Sequence, residues 1–355
     1  MKRKLFSCLM IFSLLAAVLP CQVNAKDYSD YSNKKVEFGL NLRTDHKRPD
    51  CEKPSGVKLS DYSTYYYGKD AYKNKDKVIY LTFDCGYENG NTPDILDTLA
   101  KHDIKAIFFI TRPYVKENPD LVKRMKEEGH LVGNHTTTHP SLPDLSVKEI
   151  KKEMNQCADA MKKLTGYDID PYMRPPMGHY SVRVMKVLQD MGYSTMLWSL
   201  AIYDYEENDQ PGAAYVVDKF KKHHFCGMMP LLHVISSSDA EALDEVIETL
   251  EDKGYRFGTV DEFAAQDREE ESESQTEQTA AKDTAGSDEA ADAGSQTAGT
   301  GKETEGSAAS GKETGETALP LERKGNKVTV HIDKIHSLID QMTVKSVQAL
   351  LNNIG

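Results

Sequence analysis

His135 and His139 stand four positions apart in His135-Thr136-Thr137-Thr138-His139. On a helical turn that spacing sets two imidazoles on one face, where they can grip a single metal ion. The metalloprotease form of such a pair needs a glutamate after the first histidine. Thr136 holds that place, so peptide hydrolysis of that type is disfavoured. A third ligand is at hand in Asp84 and Cys85, which follow the apolar run 78–83. Carboxylate suits zinc or harder metals and thiolate suits zinc, so either residue can complete a three-ligand site with one position open for water. Cys85 has a second reading, as a small buried hydrophobe at a strand end. Arg174 follows Pro171-Tyr172-Met173, Asp204 lies just beyond Thr195-Met196-Leu197-Trp198, and His233 closes Met229-Pro230-Leu231-Leu232. Carboxylates, imidazoles and a guanidinium at the ends of separate apolar runs form the inventory of an active site.

Such groups need rigid elements whose ends converge. From 78 to 264 short apolar runs alternate with amphipathic stretches, the signature of a β/α domain with a parallel sheet. Strands are predicted at 78–83, 106–111, 130–134, 171–174, 194–199, 229–234 and 255–259. Helices are predicted at 92–102, 118–128, 146–165, 181–191, 213–223 and 238–253. Several starts carry caps: Thr92 precedes Pro93, Ser146 has Glu149 three residues on, and Ser181 opens a run ending near Gly192. About seven parallel strands with helical crossovers predict an α/β fold, a distorted (β/α) barrel. An open doubly wound sheet is the alternative, because periodicity does not report closure. In a parallel barrel the catalytic groups gather at the C-terminal strand ends. Asp84, His135, Arg174, Asp204 and His233 all fall there.

The flanks have other characters. Lys2, Arg3 and Lys4, an apolar run over 5–19 and Val23-Asn24-Ala25 read as an export signal. The run is short for a transmembrane helix, so the mature chain is expected to start near Lys26, secreted or wall-associated and without a stable membrane span. Outside that segment stand Cys51, Cys85, Cys157 and Cys226, too few for a disulfide framework though enough for one bridge. The net charge of −12 and the absence of a basic stripe argue against a nucleic-acid partner. The expected layout is a signal peptide at 1–25, a polar N-terminal arm at 26–77, the catalytic domain at 78–264, a disordered acidic linker at 265–325 and a small C-terminal element at 326–355. The linker is rich in Glu, Ser, Thr, Ala and Gly and cannot bury enough apolar area to offset its ordering entropy. The C-terminal element, with helical spacing from Ile332 to Met342, reads as a docking piece for wall or protein.

Thr82-Phe83-Asp84-Cys85-Gly86, His135 to His139, Arg174-Pro175-Pro176-Met177-Gly178, Trp198 through Asp204-Tyr205, and Leu232-His233 resemble the five ordered motifs of the polysaccharide deacetylase family, the NodB-homology domain. Longer strings, such as Phe83 to Thr92 and Arg174 to Ser181, are similar to its delta-lactam-biosynthetic de-N-acetylase branch, which acts on muramic acid in spore-cortex peptidoglycan. The resemblance implies a distorted (β/α) barrel and metal-assisted amide hydrolysis, with a divalent ion, zinc, as cofactor and peptidoglycan glycan strands as partner. It implies Asp84 as general base held by Arg174, His135 and His139 as metal ligands, the Met177 N–H at the oxyanion, and His233 as the acid that protonates the leaving amine, with Asp204 raising its basicity. Two positions depart from the pattern. Cys85 replaces the family's usual second aspartate, a metal ligand, and Tyr205 its usual tryptophan. The first departure leaves three arrangements open: a cysteine with two histidines, a weak two-histidine site, or Asp84 turned to the metal. An exported peptidoglycan deacetylase is the leading expectation. A wall-binding protein whose catalysis has lapsed and a deacetylase of another glycan, such as chitin oligosaccharides, are the rivals.

Overall fold

Ile107-Phe108-Phe109-Ile110 is buried at every position, as a parallel strand covered on both faces must be. In the computed structural model, which describes residues 26–264, 321–324 and 327–330, this run is the third strand of an eight-stranded sheet. In chain order the strands are β1 (Thr64–Tyr65), β2 (Thr82–Cys85), β3 (Ile107–Ile110), β4 (Leu131–Asn134), β5 (Tyr172–Met173), β6 (Ser194–Met196), β7 (Leu200–Ala201) and β8 (Pro230–His233). They lie in the order β7-β8-β2-β3-β4-β5-β6-β1 and every pairing is parallel. From β2 to β6 the order follows the chain without reversing, so there is no switch point of the doubly wound kind. The sheet curls into a distorted (β/α) barrel, with eight strands where about seven were expected.

The differences from expectation lie in the shortest elements. The run 78–83 breaks in two: Val78–Ile79 pairs with Arg256–Phe257, and β2 pairs with β8 and β3. The segment 194–199 is strand only over Ser194–Met196, as β6, and β7 begins just beyond it at Leu200 and pairs with a different neighbour. Residues 26–77 are no mere arm on the domain. Thr64–Tyr65 supplies β1, parallel to β6, and Val36–Glu37 pairs with His179–Tyr180. Strands of two residues are too short for any period to reveal, and the apolar drive comes instead from tyrosines: Tyr65 packs edge-on against Phe263, and Tyr66 against Phe38.

The crossover helices are α2 (Thr92–Lys101), α3 (Arg112–Glu117), α4 (Pro119–Glu127), α5 (Val147–Thr165), α6 (Val182–Asp190), α7 (Ala213–His223) and α8 (Ser237–Asp252); α1 (Lys69–Asn74) precedes them. Two of the three capping signals act as read: Ser146 and Glu149 form a capping box on α5, and Ser181 accepts from the Val184 N–H, whereas Thr92 is the first residue of α2 and the cap position falls to Asn91, which makes no side-chain cap bond. The separate helix α3, capped by Thr111, was not anticipated. Phe83, Cys85, Phe108 and Ile110 face the helices, in the cluster that includes Ile95, Tyr114 and Val132. Ile107 and Phe109 face the other way, with Tyr65, Tyr172 and Met196. A Cβ on Gly133 would come within 2.7 Å of the Phe109 ring, so this glycine makes room for it.

His130, just before β4, is 2 % exposed; its Nδ1 accepts from the Ala106 N–H. Burial lowers its pKa to about 4. The unfolded imidazole takes up a proton near 6.5, so this residue's contribution is fully present above that pH and is lost as pH falls through about 4. The loss should be on the order of 3 kcal/mol. Urea unfolding across this pH window should show it, and His130→Asn, which retains an acceptor for Ala106, should flatten the slope.

Among the described residues Cys51, Cys85, Cys157 and Cys226 are all free, so the one bridge left open is not formed. A second unit holds an antiparallel pair, Leu321–Lys324 with Lys327–Val330. The signal segment 1–25, the rest of the linker and the helical pattern after 330 lie outside the described residues. No helix among the described residues is long and apolar enough to cross a membrane.

Candidate active site

All five ionisable groups sit at C-terminal strand ends. Asp84 is the penultimate residue of β2, His135 follows β4, Arg174 follows β5, Asp204 lies beyond β7 and His233 ends β8. The register sets His233 beside Asp84 on neighbouring strands. Asp204 thus belongs to the strand after the one expected to present it.

Arg174 organises the floor of the site. Its side chain is fully buried, and its Nη1 donates to Asp84 Oδ1 at 2.8 Å. Nη2 donates to Thr82 Oγ1 at 2.7 Å and to the Leu197 carbonyl at 3.0 Å, and Nε to the Met196 carbonyl at 3.1 Å. The guanidinium lies 4.4 Å from the centre of the Phe109 ring, the ring Gly133 makes room for. Burial raises the Asp84 pKa, but the Arg174 guanidinium, foremost of the opposing groups, outweighs it and holds the carboxyl below its ordinary range. Asp84 is therefore a carboxylate at neutral pH.

His135 and His139 do come together, with ring centres 4.8 Å apart, but not on a helix. Residues 135–139 form a loop in which Thr136 and His139 have φ of 72° and 56°, a strained choice for a β-branched residue. Side chains hold it there. Asn134 Oδ1 accepts from the Thr136 N–H at 2.8 Å, and Glu153 Oε2 accepts from the N–H groups of Thr137 and Thr138 at 2.9 and 2.8 Å. Glu153 lies on α5 and was not singled out from the sequence; nothing in its helical setting marks it.

The His135 Nδ1–H donates to the Arg174 carbonyl at 2.8 Å, which leaves the Nε2 lone pair aimed at Asp84 Oδ2, 3.4 Å away. Burial lowers the pKa of both histidines, that of His139 to about 3. Two neutral imidazoles whose rings meet, with the Asp84 carboxylate beside that of His135, are donors of the kind a divalent cation takes. The donor atoms of His102, Asp244 and Glu248 lie within 4.8 Å of one another. That group is a poorer candidate, because Lys101 already holds both Asp244 oxygens at 2.6 and 2.7 Å.

Cys85 does not join the site. Successive residues of a strand point to opposite faces, so with Asp84 facing Arg174 the thiol of Cys85 faces the helices, in the apolar cluster with Ile95 and Tyr114. Burial pushes its pKa well up, so it stays a thiol. The expected thiolate ligand is thus replaced by the other reading, a small buried hydrophobe. Cys85→Ala should leave bound metal unchanged in elemental analysis and cost about 1–2 kcal/mol in thermal unfolding, the scale of a small buried deletion.

Met177 is half-exposed, in the turn Pro176–Gly178, with φ of 57°. Pro175 and Pro176 have no N–H, so the Met177 amide is the first backbone donor after Arg174. Gly178 cannot be replaced: a Cβ there would lie 2.6 Å from Trp198.

His233 Nδ1 lies 2.7 Å from Asp204 Oδ1, and its own N–H donates to Asp204 Oδ2 at 3.0 Å. The tautomer with Nδ1–H on Asp204 leaves Nε2 for chemistry. Burial outweighs the neighbouring carboxylates and lowers the His233 pKa, a correction to the expectation of a more basic imidazole. Asp204 is fully buried, and that burial raises its pKa to about 6. Tyr205 stands half-exposed over His233, ring centres 5.8 Å apart, with Tyr203 4.7 Å beyond.

Asp239 was missed. It is 2 % exposed in the first turn of α8, its Oδ2 3.3 Å from the same His233 N–H, and its carboxyl feels the charge of Asp204. In the sequence, Ser236 with Asp239 three residues on reads as an ordinary helix start, and Ser236 Oγ does accept from the Asp239 N–H. A helix N-terminus favours a carboxylate by up to about 2 kcal/mol. Two carboxylates about 4 Å apart repel by about 4 kcal/mol at an effective dielectric near 20. Repulsion and burial win, and the Asp239 pKa rises well above the usual range.

The family model described as polysaccharide deacetylase matches residues 71–196. The peptidoglycan-N-acetylmuramic acid deacetylase PdaA of Bacillus subtilis is 39% identical over 231 residues, 65% of this chain and 86% of that protein. The peptidoglycan-N-acetylglucosamine deacetylase PgdA of Listeria monocytogenes is 36% identical over 188 residues, 53% of this chain and 39% of that protein. The solved structure of Bacillus subtilis PdaA, described as a family 4 carbohydrate esterase, superposes with a TM-score of 0.62 at 38% identity, covering 66% of this chain and 99% of that one.

Proposed function

The chain belongs to the polysaccharide deacetylase family, and on that premise we propose that it removes acetyl groups from amino sugars of peptidoglycan, acting on N-acetylmuramic acid. The observation that carries this reading is the convergence of Asp84, held by buried Arg174, with His135, His139 and the His233–Asp204 pair at one end of the barrel. The muramic acid preference rests on the similarity to PdaA along 86% of that protein's length.

The reaction adds water across an amide: a C–O bond forms, the C–N bond breaks, and acetate and a free amine leave. Asp84, a carboxylate fixed by Arg174, is positioned to take a proton from the attacking water. Oδ1 is held by Nη1, which leaves Oδ2 as the acceptor. His135 and His139 would hold the divalent metal of this family, with Asp84 Oδ2 beside them. When bound, the metal polarises the acetyl carbonyl and lowers the pKa of the water. The Met177 N–H would donate to the oxygen that gains negative charge. His233, as the imidazolium with its Nδ1–H held by Asp204, would deliver the Nε2 proton to the leaving amine, and the proton that Asp84 takes from water would balance the one given up. Tyr205 would close one side of the site, in the place of the usual tryptophan.

For the whole chain we propose export by the segment 1–25, an acidic spacer after the catalytic domain and a C-terminal element that contacts wall or protein. A place in spore-cortex delta-lactam formation follows if the target is muramic acid. Glycan strands treated with the enzyme, digested and weighed by mass spectrometry should carry the new amine on muramic acid. An amine on glucosamine alone would overturn the substrate assignment, and activity confined to chitin oligosaccharides would overturn the peptidoglycan reading.

A further inference from the structure

We propose that Asp239 is a positioning residue that keeps its proton and donates it in a hydrogen bond to Asp204, so that the two buried carboxyls behind His233 carry one negative charge between them. The geometry has three parts. Both Oδ2 atoms approach the same backbone N–H of His233, at 3.0 Å from Asp204 and 3.3 Å from Asp239. Both carboxyls are almost completely buried. The charged groups that act most on Asp239 are Asp204 and His233. A single N–H cannot satisfy two adjacent carboxylates, and a shared proton can. Farther out, Asp84 acts on Asp204, and Asp84 and Arg174 act on His233. The neutral partners nearby, Ser236 and Gln210, hydrogen-bond each other.

The consequence concerns His233. With one charge behind it, Asp204 can hold the Nδ1–H and fix the tautomer. Two charges would make the imidazole more basic and less able to release a proton to the amine. Asp239 acts through Asp204 and touches no reacting atom.

The test has a spectroscopic arm and a kinetic arm, and only the kinetic arm rests on the deacetylase reading. Infrared spectra of the full chain at neutral pH should show the carbonyl stretch of a protonated buried carboxyl, absent in Asp239→Asn. The Asn amide keeps a neutral donor for Asp204, so its pH–rate profile should superimpose on that of the wild type. Asp239→Ala, which removes the donor, should lower kcat about tenfold with KM unchanged. No such band in the wild type, or a band that persists in Asp239→Asn, would overturn the proposal. So would a pH profile of Asp239→Asn displaced by about one unit, because that displacement would mean a charge had been removed. If Asp239→Ala fails to fold, the band and the Asn profile decide. If no substrate is turned over at all, the band alone does.

Discussion

Asp84→Asn should lower kcat by about 10²–10⁴-fold, the range of a lost general base, while a glycan substrate is still bound. The amide keeps an oxygen for Arg174 Nη1 but has neither charge nor basicity. The variant should also lose stability. Arg174 is fully buried and has one carboxylate partner, Asp84, at 2.8 Å. Removing one member of a buried pair costs about 3–5 kcal/mol when the remaining charge has no other compensation. Three further hydrogen bonds that Arg174 donates, to Thr82 Oγ1 and to the Leu197 and Met196 carbonyls, soften that cost. A drop in kcat with unchanged thermal stability would mean that Asp84 and Arg174 are not coupled in the way the geometry requires.

Arg174→Met should be worse for the fold and nearly as bad for catalysis. It removes the cation over Phe109 and four hydrogen bonds at once, leaving Asp84 buried without its main partner. Burial already pushes the Asp84 carboxyl upward, and Arg174 is the largest opposing charge. Without it the carboxyl should hold its proton at neutral pH and lose its use as a base. Destabilisation of about 3–5 kcal/mol is expected by urea unfolding, with activity recovering in part as pH rises and Asp84 ionises. The double variant Asp84→Asn, Arg174→Met should be less destabilised than the sum of the two, because no unpaired charge remains. Strict additivity would contradict the coupling.

Much of this site was readable before any coordinates, because strand ends in a parallel barrel leave few places for charge. Asp84, His135, Arg174 and His233 each lie at the end of a run that forms a strand, while Asp204 lies one strand later than its run, beyond β7. The failures have physical reasons. The His135 and His139 spacing fits a helix, yet the pair meets on a loop held by Asn134 and Glu153, a long-range bond that spacing does not encode. Cys85 was correctable from the sequence, since neighbours on a strand cannot face one side, so Asp84 inward places Cys85 outward. Asp239 was hidden by a capping pattern whose side chain turns elsewhere. Thr64–Tyr65 is a strand of two residues, below the length at which alternation means anything.

The central claim is that this site hydrolyses N-acetyl groups on peptidoglycan. Acetate released from purified glycan strands should be measured over time, with divalent metal supplied, for the wild type and for Asp84→Asn. Steady release by the wild type that falls by at least about a hundredfold in the variant is the expected result. No release by the wild type, or equal release by both proteins, would contradict it.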